Sequence, residues 1–473
     1  MDEDDIKWDS STNKLLLPIV NNTDFDLERQ SPRPSNQQAS TNATRSRSIA
    51  HLDGLRGLAA FLVYFFHHVS WAYGPEHPIC RHGWNYHGER YFATLPFIRL
   101  LFTGGSASVA IFFVLSGYCL SISPLRKRRN LYRNLISASL RRPLRLFIPP
   151  TGVSLLFAFT MHLPFGLAPK LIWPDPQETI GAELIKWVVE LCKALNPFQN
   201  HGIFTPWFPY DPPVWTMPIE LRGSILIFAL HAAYSRVTPI HRLFLFSITG
   251  LVLLLMYDWA MACFVSGVIL AILDFEDLGD LFNKTASERA RQFAHYFSLI
   301  AGLWLLSQTA GVRDPELSFN TFGWYWMTKL VPSNYYNDEY WRFWHSVGAA
   351  LLVFSVLKIR CLQSFFATPA LRYLGKISFS LYLTHLPLLW TVGDRIYRLI
   401  GITRPEIQTW FDNRISVPDV GPSGVSTRSL FGQCFILPLN LYIAHLGTVW
   451  LDEPSVQSGR WLVAKIQVVQ DKG

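Results

Sequence analysis

The chain has 473 residues, of which 50% are hydrophobic, 15% aromatic and only 16% charged, and 42 Lys and Arg against 34 Asp and Glu give a formal charge of +8. With 17 Trp and a mean hydropathy of +0.18, this composition excludes an ordinary soluble globule and points to a protein that lives in a bilayer, its tryptophans available for interfacial belts. No nucleic-acid partner is expected, and membrane lipids are.

Residues 1–50 are polar, carry eight acidic and six basic residues, and read as a disordered cytosolic tail without a cleavable signal peptide. Residues 51–455 then read as one continuous membrane domain, followed by a short cytosolic tail at 456–473. Apolar runs long enough to cross ~30 Å of hydrocarbon fall near 52–73, 103–123, 144–162, 214–234, 241–257, 259–275, 293–310, 343–359, 376–394 and 430–451. The fold class expected is therefore all-α, a polytopic membrane protein with about ten transmembrane helices. Its expected location is a membrane that it crosses several times.

Orientation follows from the densest basic run, Arg126 to Arg145, which the positive-inside rule places in the cytosol. Ten spans then put both termini inside. Five arginines on the predicted outer loop at 395–428 run against that rule. The loop at 163–213 is Pro- and Trp-rich with an amphipathic stretch around Leu184 to Leu195, suited to an interfacial lid. Of six cysteines, only Cys80 and Cys192 share the outer side and could bridge.

The first span, LDGLRGLAAFLVYFFHH, holds Arg56 and His67. They lie about three turns and ~16 Å apart on nearly one face of a helix. An Arg at the bilayer centre costs at least ~2.5–3.5 kcal/mol, so such residues mark a site by default. Snorkelling of Arg56 and a helix-to-helix hydrogen bond from His67 would also account for them. His68, one residue on, turns ~100° away, so its replacement is expected to be mild.

Further along, FFVLSGY places Ser116 and Gly117 late in the second span, where a close helix contact is the ordinary reading. RRPLRLFIPP sets Arg141, Arg142 and Arg145 at the inner mouth of the third span, with Pro149 and Pro150 expected to break or kink it. Three guanidiniums suit phosphates, and equally suit anchoring to anionic lipid. In VWTMPIELRGS, Glu220 and Arg222 point to different sides of a helix, and Glu220 needs a partner such as Arg56 or a histidine. His385 falls midway through the ninth span with Tyr382 one turn before it, as part of a polar path or as a satisfied core histidine.

Together these segments resemble the acyltransferase-3 family of polytopic membrane O-acyltransferases, in a eukaryotic member. The likeness runs from about residue 52 to 454 and rests on LDGLRGLAA followed by His67, FFVLSGY, RRPLRL, Trp215-Thr216 with Glu220, FSLYLTHLP, and Leu451-Asp452-Glu453-Pro454. It implies acyl transfer from acyl-coenzyme A to a hydroxyl, with Arg56 and His67 essential. Acetyl is the commonest donor group among such relatives. Pro218 departs from the pattern and leaves the local geometry of Glu220 open.

On that reading, His67 is the general base on an acceptor hydroxyl of a carbohydrate, lipid or secondary metabolite, with Glu220 and His385 completing the catalytic set. Arg141, Arg142, Arg145 and Arg56 bind acyl-coenzyme A, which acts as co-substrate. No permanent cofactor and no metal are expected. The competing reading is a proton-coupled transporter in which Arg56, His67, Glu220 and His385 form a relay.

Overall fold

The computed structural model describes residues 36–126, 128–163, 175–198, 207–276, 287–310, 315–336, 339–403, 408–420 and 426–470, and all regular structure among them is helical. The chain divides into two compact units, residues 1–44 and 45–473. Of the first, only the start of a helix at Asn36 is described. That helix, α1 (Asn36–Tyr73), starts upstream of residue 51, where the sequence places the end of the tail.

The second unit contains α2 (Gly105–Arg126), α3 (Leu131–Thr160), α4 (Ile180–Ala194), α5 (Thr216–Ala233), α6 (Pro239–Leu255), α7 (Trp259–Phe275) and α8 (Glu288–Leu306). They are followed by α9 (Trp341–Lys358), α10 (Arg360–Phe366), α11 (Pro369–Leu388), α12 (Asp394–Leu399), α13 (Thr427–Gly447) and α14 (Glu453–Gln470). Two π-helical turns join pairs of them: Leu389–Gly393 carries α11 into α12, and Thr448–Asp452 carries α13 into α14. Such turns are rare and recur at functional sites. Pro387, which offers no N–H to the helix, sits two residues before the first.

Four helical stretches among the described residues are long and apolar enough to cross a membrane, at 105–126, 128–160, 212–233 and 427–466. A fifth arises if α9 and α10, bent by 96°, make one crossing. The ten expected crossings are not reached by this measure. α6 and α7 have only 17 residues each, and α1 and α11 carry Arg56, His67, His68, Arg372, Lys376 and His385 in place of an unbroken apolar surface.

The helices meet where small residues let backbones touch, as is usual when lipid removes the hydrophobic drive between them. A Cβ on Gly117 would lie 2.0 Å from the Phe264 carbonyl oxygen, and one on Gly267 would lie 2.1 Å from that of Val114, so α2 and α7 lie in direct contact. Around them Phe113, Val114, Phe264 and Val268 form the main core with Ile227, Phe246 and Val353. A second core joins α3, α4, α5 and α11 through Phe157, Trp187, Met217 and Leu386.

α3 continues through Pro143, Pro149 and Pro150, so of the expected break or kink the break does not occur. Neighbouring helices make that tolerable by re-satisfying freed backbone groups. The amphipathic stretch of the 163–213 segment forms α4, docked on α3 by Trp187 Nε1 donating to Ser154 Oγ at 3.1 Å. Its buried Glu183 accepts from the Tyr210 hydroxyl, while Ile185, Val188 and Val189 stay exposed. The loop residues 164–174 and 199–206 lie outside the described residues. Cys80 is buried, Cys192 exposed, and both are free thiols, so the bridge that their shared side allowed is not formed.

Candidate active site

The site begins with a glycine contact. A Cβ on Gly57 of α1 would come 2.4 Å from the Gly375 backbone nitrogen, and one on Gly375 of α11 would come 2.2 Å from the Asp53 carbonyl oxygen. Ten residues further along each helix, ~15 Å higher, His67 Nδ1 and His385 Nε2 are 3.0 Å apart. Equal offsets from both glycines mean that α1 and α11 run parallel and in register, so the lower contact fixes the upper one.

Carbonyl partners settle where the ring protons lie. His67 Nδ1 is 2.9 Å from the Val63 carbonyl and His385 Nδ1 is 3.1 Å from that of Leu381. A carbonyl only accepts, so both Nδ1 atoms carry hydrogen. His385 Nε2 is then an acceptor and takes a share of the His67 Nδ1 hydrogen, which leaves the lone pair of His67 Nε2 without a protein partner among the described residues. His385 is fully buried, whereas His67 is half-buried. One imidazole is thus held and the other presented.

Substituting Gly375 with Ala tests this register. The added methyl meets backbone, so α11 has to move. A displacement near 1 Å at a reacting group can cost roughly 10²-fold in rate, and that loss is expected in turnover with helical content unchanged by circular dichroism. Wild-type turnover would show that the glycine contact does not position the histidines.

His68 faces elsewhere, as its ~100° offset requires. It is buried with Nδ1 2.9 Å from the Tyr397 hydroxyl, which accepts from Gln433 Nε2 at 2.6 Å, while Tyr64 donates to Gln433 Oε1 at 2.6 Å. This network ties α1 to α12 and α13. Replacing His68 with Ala should cost about 1–3 kcal/mol of stability by stranding a buried partner, seen as a lowered melting temperature, with transfer kept within a few-fold. Complete loss of transfer in a folded His68→Ala protein would contradict the division between the two histidines.

About three turns below His67 lies a second polar layer. Arg56 Nη1 donates to Asp53 Oδ1 at 3.1 Å, and Nη2 reaches the Cys119 sulfur at 3.9 Å. Glu220 accepts from Ser116 Oγ at 2.8 Å and from Arg142 Nη2 at 2.7 Å, and Arg142 Nε donates to Ser224 at 2.9 Å. The partner of Glu220 is therefore Arg142 on α3, with Arg56 only within electrostatic reach. Pro218 does not disturb this, because it is the third residue of α5 and a first helical turn accommodates proline.

The arginine triplet does not converge. Arg142 turns inward to Glu220, Arg145 stands 3.9 Å from Asp452, and Arg141 packs on Gly459 of α14. Adjacent helical residues diverge by ~100°, so Arg141 and Arg142 leave on different faces.

Two residues given no role in the sequence stand out. Asp452 belongs to the closing Asp-Glu-Pro motif and faces Arg145. Asp211, just ahead of the Trp215-Thr216 motif, is fully buried with neither carboxylate oxygen hydrogen-bonded, and burial holds its carboxyl well above the usual range. Its position after Tyr210 and before two prolines was the available signal. Nearby, Thr216 Oγ1 donates to the Tyr382 hydroxyl at 3.2 Å, and the Tyr382 ring lies 6.0 Å from that of His385.

Comparison with known proteins gives a match to the acyltransferase domain model over residues 49–417. An O-acetyltransferase, PaAT-1, of Phomopsis amygdali is 30% identical over 401 residues, covering 77% of each chain. Acyltransferase clz18 of Cochliobolus lunatus is 22% identical, and acyltransferase R4 of Phoma sp. is 21% identical; each aligns with 74% of this chain and 84% of its own length. No solved structure matches the chain.

Proposed function

The chain belongs to the acyltransferase domain family and is a membrane acyltransferase, and from that premise we propose that it moves an acetyl group from cytosolic acetyl-coenzyme A to a hydroxyl of a carbohydrate, lipid or secondary metabolite. The observation that carries this reading is the His67–His385 pair, in which one buried ring leaves His67 Nε2 as a proton acceptor. The name of the Phomopsis amygdali relative supports acetyl as the group moved. The proposal includes about ten crossings with both termini in the cytosol.

The reaction follows from the tautomers. An alcohol is a poor nucleophile until its proton is taken, and imidazole is the side chain suited to take it near neutral pH. His67 Nε2 accepts the hydroxyl proton as the oxygen attacks the thioester carbonyl. The C–S bond then breaks as the tetrahedral oxyanion collapses, and the leaving sulfur takes the proton from His67 Nε2, which restores the base. His385 Nε2 accepts from His67 Nδ1–H and so steadies the imidazolium between the two steps. His385 is in this sense a positioning residue, and Arg56 and Glu220 act from the lower layer. A relay through Arg56, Glu220 and both histidines would need a continuous path, whereas the two layers are ~16 Å apart along α1.

Purified protein in detergent, given radiolabelled acetyl-coenzyme A and an extract of hydroxylated lipids and metabolites, is expected to label an acceptor with release of free coenzyme A. Proton-dependent flux in proteoliposomes without any labelled product would overturn the reading.

A further inference from the structure

Glu220 and Asp452 engage Arg142 and Arg145, and a different set of arginines lines a cavity. At the C-terminal end of α2 a cavity of about 460 Å³ is lined by Arg128, Arg129, Arg133, Arg236 and Arg242, with His231 also in its wall. The volume is within the range of small-molecule sites. Its walls come from two separate connections, α2 to α3 and α5 to α6, so positive-inside anchoring accounts for the arginines being there but not for their convergence.

Charge in this cavity is unbalanced. Glu276 is buried and serves both Arg128 and Arg242. Arg242 is further fixed by the Tyr234, Ser235 and Val237 carbonyls. Arg129, Arg133 and Arg236 have no carboxylate partner among the described residues. One carboxylate against five guanidiniums leaves a site that a ligand with several negative charges would complete, and guanidinium pairs bidentately with phosphate.

We propose that this cavity binds a compact polyphosphate anion, whose source is the nucleotide end of acyl-coenzyme A or the headgroup of a polyphosphoinositide. The first source rests on the acyl-coenzyme A reading above; the second does not. Gly105, at the other end of α2, abuts Phe66 beside His67. The 22 residues of α2 put the cavity and the histidines about 33 Å apart, close to a bilayer's hydrocarbon thickness. An extended pantetheine arm is much shorter than this, so a thioester anchored here by its nucleotide would not reach His67, and the distance favours the lipid headgroup as the source.

The test uses the full chain in phosphatidylcholine nanodiscs, with adenosine 3′,5′-bisphosphate and inositol 1,4,5-trisphosphate as calorimetric probes. Both the Arg129→Gln/Arg133→Gln double variant and Arg236→Gln alter residues outside the buried core, so folding should be kept. Each should weaken one probe at least tenfold. If the nucleotide is the occupant, acetyl-coenzyme A displaces the bisphosphate, and its KM rises about tenfold in the variants with kcat unchanged. If a lipid headgroup is the occupant, inositol trisphosphate binding falls and that KM stays constant. No binding of either probe to the wild type, or binding indifferent to both variants, overturns the proposal. Wild-type protein that binds inositol trisphosphate through these arginines but ignores acetyl-coenzyme A would instead defeat the donor assignment and leave the cavity site standing.

Discussion

Replacing His67 with Ala is expected to lower label transfer from acetyl-coenzyme A by about 10²–10⁴-fold, the range a positioned general base supplies, with membrane insertion kept and the melting temperature lowered by no more than one stranded buried acceptor accounts for, about 1–3 kcal/mol. His67 is half-buried and its Nε2 bonds to no described residue, so removing the ring strands only the buried His385 Nε2. His385→Ala should also lose rate, because the His67 ring then keeps only its Val63 carbonyl partner and its imidazolium has no acceptor beside it. Since the two rings act as a unit, the double variant should be no slower than His67→Ala alone. Additive losses would mean that His385 has a separate job, and a His67→Ala enzyme with ordinary turnover would remove the imidazole from the chemistry.

The largest effect on stability is expected at Glu220. Cutting it to Ala leaves the Arg142 guanidinium without its carboxylate inside the bundle and unties Ser116, so α2, α3 and α5 lose their shared polar junction. Breaking one side of a buried ion pair costs about 3–5 kcal/mol, enough to reduce folded yield severely. The Glu220→Ala/Arg142→Met double variant, which removes both charges, should recover most of that yield in fluorescence-detected size-exclusion profiles. Should it recover yield but not transfer, Glu220 takes part in the reaction as well as the fold. A single variant as stable as wild type would show that the pair contributes nothing to holding the junction.

Much of the site was legible because a bilayer penalises ionisable groups. Arg56, His67, Glu220 and His385 stand out against their apolar surroundings, and the face that separates His67 from His68 follows from helical geometry alone. Spacing within a segment does not convey which segments touch. The meeting of His67 and His385 depends on Gly57 and Gly375, two glycines among the 29 in the chain, and only the packed helices show that they coincide. Arg142 was legible as a cation, but its inward turn toward Glu220 depends on how α3 is rotated against α5. The count of crossings was the least secure part, since α1 and α11 are as much polar site as membrane anchor.

The π-helical turn at Leu389–Gly393 sets the rotational phase of α12 relative to α11. It holds one residue more than an α-helical turn would, and that surplus advances every later side chain by ~100° about the axis. Asp394 accepts from Trp71 Nε1 at 3.0 Å and Tyr397 meets His68 only at this phase. A sequence shorter by a single residue here would keep a smooth helix and nearly the same composition, yet aim both groups away from α1. Chain length between Pro387 and Asp394 is therefore as much a determinant of the architecture as the identity of any residue in it.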